Sequence, residues 1–131
     1  MPLNSEDKIK YKTLYLQTAR EYVKSLQDNI VQLQEGKGDT EIIDILHRDS
    51  HSLKGQSLMM EYNAMSELSL LLENIFSAKK EQKIVLSKEL LAKIAEAVKE
   101  MEACLDEIDK NNKEKDLSQA VEELKGLTTT I

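Results

Sequence analysis

The segment His51-Ser52-Leu53-Lys54-Gly55 holds the residues of this chain best suited to chemistry. It lies inside a run of helical periodicity, where a glycine costs about 1 kcal/mol relative to alanine and so needs a reason. One turn past an imidazole, a residue without a side chain clears a lane by which a partner can reach the ring. Lys54, three residues after His51, brings a positive charge to the same side of the helix. An accessible imidazole, a nearby ammonium and open surface suit a histidine that accepts a phosphoryl group and hands it on. His47, one turn earlier, offers a second imidazole but no lysine and glycine at the matching offsets. A His47/His51 pair at i, i+4 could also ligate a metal. No third ligand is evident, and the glutamate of an H-E-x-x-H helix is absent.

The elements that must hold these residues read as helices. Pro occurs once, at Pro2, and Gly four times, so interior helix breakers are almost absent. Aromatic residues make up 4% and Trp is missing, which leaves an aliphatic core. The periodicity predicts five helices, over about 5–34, 40–60, 63–78, 87–110 and 116–127. The first carries the stripe Leu16, Ala19, Val23, Leu26, Ile30, Leu33 and ends at Gly36-Lys37-Gly38, where both glycines can take positive φ. Asp39 or Thr40 caps the second, whose core stripe is Ile43, Leu46, Ser50, Leu53, Ser57. At 100° per residue, His51 lies about 120° from the centre of that stripe, on the flank, neither buried nor fully exposed. Asn63 is the expected cap of the third helix, with Met65, Leu68, Leu71, Leu72, Ile75 and Phe76 on its inner face. Ser87 caps the fourth, which carries Leu91, Ile94, Val98, Met101, Leu105 and Ile108. Asp116 and Gln119 resemble a capping box for a short fifth helix with Leu117, Val121 and Leu124 inside, and Leu127 to Ile131 is expected to fray. The pair Met59-Met60 is read as core, and Lys79 to Lys83 as a solvated loop. The expected fold is all-α: an antiparallel up-and-down four-helix bundle with a short fifth C-terminal helix, in one domain over 1–131.

Composition excludes several function classes. The net charge is −6 and no basic stripe exists, so nucleic acid is not an expected partner. Cys104 is alone, which rules out a disulfide framework and fits a cytoplasmic setting. No apolar run is long enough to span a bilayer and no signal peptide is visible, so no membrane contact is expected. A Gly-rich phosphate loop, a kinase-like motif set and an acidic pocket for Mg²⁺ are all missing. The expectation is therefore a carrier, not an enzyme with its own turnover, with no cofactor.

The stretch Leu46-His47-Arg48-Asp49-Ser50-His51-Ser52-Leu53-Lys54-Gly55 resembles the phospho-accepting helix of histidine phosphotransfer (HPt) domains, which reads approximately F-R-x-x-H-[ST]-[LI]-K-G. Leu68 and Leu72-Glu73-Asn74-Ile75 resemble the next helix of that family. The five-helix count and the long fourth helix are most similar to the N-terminal phosphotransfer domains of CheA-type chemotaxis histidine kinases. The resemblance implies that His51 is the phosphoryl acceptor and that Lys54 balances charge on the incoming group. It implies that Glu73 hydrogen-bonds the acceptor ring, and that Arg48, Gly55 and Leu58 belong to the docking surface. It further implies two partners: a histidine kinase ATP-binding domain, in cis or in trans, and a response-regulator receiver domain. As an isolated domain the chain would be a monomer.

Three positions depart from the family pattern. Leu70 stands where CheA-type domains often have a second histidine. Glu61 stands where a glycine is expected in the turn after the acceptor helix, and His47 replaces an aromatic residue. Two other readings stay open on the sequence: a solvated surface histidine on a bundle, and a helical adaptor that docks receiver or kinase domains without phosphotransfer.

Overall fold

The computed structural model describes residues 5–129, which form five helices and no strand: α1 (Ser5–Gln34), α2 (Thr40–Met59), α3 (Asn63–Lys80), α4 (Lys88–Asn111) and α5 (Ser118–Leu127). The apolar stripes meet in one core that draws on every helix, from Leu26 and Ile30 through Leu46, Leu53, Leu68, Leu72 and Phe76 to Ile94, Met101 and Leu105, all but fully buried. Each such side chain contributes about 1.5–3 kcal/mol by leaving water. α2 packs against α3 and α1, α1 also packs against α4, and α5 lies on α3 and α4. No helix among the described residues is long and apolar enough to cross a membrane.

The helix ends show which local signals held and which did not. Asp39 caps α2 by accepting the Ile42 N–H at 3.0 Å, and Ser87 caps α4 by accepting that of Leu90 at 3.1 Å. Only Gly36 uses positive φ after α1 (φ +77), whereas a Cβ at Gly38 would meet the tip of the Leu33 side chain, which would have to turn aside. Asn63 does not cap α3. It is the first residue of that helix, after Tyr62, whose side chain makes no cap bond, and the Met65 N–H is accepted at 2.7 Å by Glu114 from the α4–α5 link. The Asp116/Gln119 capping box does not form either: Asp116 accepts the Ser118 N–H at 2.9 Å in a tight turn, Gln119 bonds Glu123, and α5 starts two residues later than expected. Lys79 and Lys80 extend α3 beyond its expected end. Met60 is buried but Met59 is exposed, so only half of that pair is core. The tail does not fray at Thr128, whose buried hydroxyl donates to the Leu124 carbonyl at 2.7 Å; residues 130 and 131 lie outside the described residues.

The turn that reverses the chain from α2 to α3 runs through Glu61 at φ +64, a left-handed conformation that costs a non-glycine residue about 1–2 kcal/mol. Much of that cost should be recoverable. Glu61→Gly should raise stability by about 1 kcal/mol or less in chemical denaturation, since glycine's extra freedom in the unfolded chain cancels part of the gain.

Between α1 and α2 the packing includes a polar contact that the periodicity did not disclose. Asp49 is 5% exposed, and its Oδ2 accepts the Ser25 hydroxyl at 2.6 Å. Burial raises the Asp49 pKa, while the Ser25 hydrogen bond and the Arg48 charge pull it down without cancelling the rise. The native state therefore holds this proton more tightly than the unfolded chain. Asp49 costs nothing below its unfolded pKa, and stability falls as pH rises through its folded pKa, with the full penalty above it. Asp49→Asn, which keeps an acceptor for Ser25, should stabilise the fold at neutral pH, with the gain vanishing toward acid in denaturant titrations.

Candidate functional site

α2 and α3 pack closely, joined by the short turn through Met60, Glu61 and Tyr62, so their outer flanks lie side by side. Leu53 on α2 and Leu72 on α3 are fully buried, and each neighbours a site residue, Lys54 and Glu73 respectively. Packing the core positions thus fixes the flank positions.

His51, Lys54 and Glu73 come together on this flank. The His51 ring donates its Nδ1–H to Glu73 Oε2 at 2.6 Å, and the Lys54 Nζ lies 2.8 Å from Oε1 of the same carboxylate. Both oxygens are engaged, one by each partner. An ionised carboxylate only accepts, so it selects the tautomer with hydrogen on Nδ1 and leaves the Nε2 lone pair free. Burial works to raise the Glu73 pKa, but the hydrogen bonds and charges of Lys54 and His51 outweigh it and hold the carboxyl below its ordinary value. The side chains grade outward from 13% exposed at Glu73 through 26% at Lys54 to 63% at His51. The imidazole is therefore more open than the flank position predicts.

The remaining expected residues are distributed along the same helix. Gly55 is exposed, and a Cβ built on it meets nothing within 4 Å. Arg48 is exposed and makes no ion pair among the described residues, so it stands apart from the Glu73 cluster. Leu58 is 60% exposed, and next to it Met59 borders an apolar groove of about 480 Å³ walled by Tyr11, Leu14 and Thr18 of α1. His47 is half-buried. Leu70 points outward from α3, 43% exposed, and adds no polar partner to Glu73.

Two features escaped the sequence. Lys54 is engaged by Glu73, not held free for an incoming anion, and the signal for it was the carboxylate already expected beside His51. Tyr15 and Ser57 share a buried hydrogen bond at 2.8 Å. A serine in a core stripe signals such a partner, because a buried hydroxyl without one is costly. The open space at Gly55 also carries an expectation. Gly55→Ala should fit and stabilise α2 by up to about 1 kcal/mol in thermal or chemical denaturation. Gly55→Phe should also leave the fold intact, since the added ring meets open space.

The chain is 28% identical over 98 residues to the chemotaxis protein CheA of Halobacterium salinarum, covering 75% of this chain and 15% of that protein. It is 23% identical over 115 residues to CheA of Listeria monocytogenes, covering 87% of this chain and 19% of that protein. For CheA of Bacillus subtilis the values are 24% over 114 residues, 86% and 17%. The chain thus spans less than a fifth of the length of these relatives. No solved structure matches. The Hpt domain family matches residues 10–111, which takes in α2, α3 and the whole His51–Lys54–Glu73 cluster. By that match the chain belongs to the Hpt domain family, the helical phosphotransfer modules of two-component signalling, with relatives in chemotaxis kinases.

Proposed function

We propose that His51 is the phosphoryl acceptor and that the chain works as a carrier between a histidine kinase ATP-binding domain and a response-regulator receiver. The observation that carries this reading is the Nδ1–Glu73 hydrogen bond, which leaves Nε2 as a free, exposed nucleophile. The neutral imidazole attacks phosphorus through Nε2, in line with the leaving oxygen. The N–P bond forms as the P–O bond to ADP, or to a receiver aspartate, breaks. The ring then carries positive charge, which the Glu73 carboxylate offsets through the proton on Nδ1. Lys54 is ion-paired with Glu73, and its ammonium, with three N–H donors, can turn from that pair to meet the phosphoryl oxygens. In the second step a receiver aspartate attacks, the N–P bond breaks, and the ring returns to neutral with its proton still on Nδ1. The nucleotide and the Mg²⁺ belong to the partners, and the domain itself is not an enzyme.

The helix order, the short links and the pairing of neighbours support an antiparallel up-and-down four-helix bundle, with α5 laid on its side, as one domain. The exposed stretch from His51 through Gly55 to Leu58 is the face on which partners dock, and Arg48 borders it. The setting we assign is the cytoplasm, where such kinases and receivers meet. The test is to charge the chain with a purified CheA-type ATP-binding domain or a phosphorylated receiver and map the phosphate. Acid-labile, alkali-stable label on the peptide carrying His51 is expected. Stable label on a hydroxyl residue, or none with any donor, would favour an adaptor.

A further inference from the structure

The family match ends at residue 111, yet the chain beyond it reaches back to the helix that carries Glu73. Glu114 accepts the Met65 N–H at 2.7 Å, across 49 residues of sequence, and takes the place of the side-chain cap that α3 lacks. α5 then lies against α3 and α4 and buries Leu117, Val121 and Leu124. At the same turn, the Tyr15 ring of α1 packs on Tyr62, centroids 4.9 Å apart. The first turn of α3 is thus gripped between α1 and the α4–α5 link. Grip at this end matters to the site because, apart from the exposed Lys80–Asp44 ion pair at 3.1 Å near the far end of α3, the core residues that α2 and α3 bury together are mainly aliphatic. Apolar packing is non-directional and tolerates small axial slides, whereas a 2.6 Å hydrogen bond does not.

We propose that Glu114 is a positioning residue for phosphoryl acceptance. By fixing the start of α3 along its axis, it sets Glu73 at the height where the carboxylate meets His51 Nδ1. This rests on the reading of His51 as acceptor, but its first test does not need phosphate. In the full chain, ring ¹⁵N shifts report how far His51 holds its proton on Nδ1. Glu114→Ala should shift them toward a mixed tautomer population, and Glu114→Gln, which keeps an acceptor oxygen for Met65, should restore most of the original state. The acceptance rate from a small phosphodonor should fall about three- to tenfold in Glu114→Ala, as expected for coupled residues. In a Glu73→Ala background the same change should add nothing. A role in stability alone would predict equal losses in both backgrounds. Unchanged ring shifts in a folded Glu114→Ala chain, or equal losses with and without Glu73, would overturn the proposal. If Glu114→Ala does not fold, the milder Glu114→Asp, which shortens the reach to Met65, decides: ring shifts that move in step with loss of the Met65 hydrogen bond support the role, and unchanged shifts after that bond is lost overturn it.

Discussion

His51→Gln should abolish acid-labile phosphorylation while leaving the helices intact. Glutamine can still donate an amide N–H toward Glu73, so the buried carboxylate keeps a partner, and the exposed position contributes little to packing. The loss should therefore be chemical and not structural. Circular dichroism and the unfolding midpoint should stay near those of the parent, while labelling by any donor vanishes. His47→Gln is the matched control and should label normally. Label that survives His51→Gln and disappears in His47→Gln would reverse the assignment.

Glu73→Ala should be the next most damaging change at the site. It removes the acceptor that fixes the ring tautomer and the charge that offsets the phosphorylated imidazolium. It also frees Lys54 from its ion pair. A hydrogen bond to a charged group is worth about 1.5–3 kcal/mol, so acceptance should slow by about ten- to a hundredfold. Glu73→Gln separates the two roles. An amide oxygen can still accept from Nδ1, so the ring keeps its tautomer, but no charge answers the imidazolium. A rate near that of the parent in Glu73→Gln would leave orientation as the whole of the Glu73 contribution. A rate near that of Glu73→Ala would assign the effect to charge. Stability should respond as well. The Glu73 pKa is lowered on folding, so its contribution is present above the unfolded pKa and is lost as pH falls through the folded value. This is the reverse of Asp49. Between neutral pH and the acid range, one carboxylate therefore stabilises the fold as the other weighs against it, and the two single variants should show opposite pH slopes.

The fold was legible where the signal was periodic. The stripes of α1 and α4 are buried nearly residue for residue, because steps of three and four put those side chains on one face whatever their neighbours are. Legibility failed where the partner lay far off in sequence. Asn63 looked like a cap because its type suits one, but the site was filled by Glu114, and no local pattern announces a carboxylate 49 residues away. Nor does any local pattern mark Asp49 as the buried partner of Ser25, which lies on another helix. At the site, residue types and offsets singled out His51 and Lys54, the family resemblance added Glu73, and the three side chains do meet. The sharing of one carboxylate by two donors depends on side-chain reach, which spacing does not fix. Leu58 was assigned to an open surface and lies on one, but Met59, taken for core, stands beside it.

Every side chain of the reacting cluster lies on α2 or α3, within the 51–73 stretch, whereas α1 and α4 contribute apolar stripes to hold that pair in place. The chemistry is thereby uncoupled from most of the sequence. Any aliphatic residue of suitable volume can stand in the stripes of α1 and α4, since core packing accepts many solutions. The outer surfaces of α1 and α4 are correspondingly free to acquire attachments to other parts of a larger protein without disturbing the site.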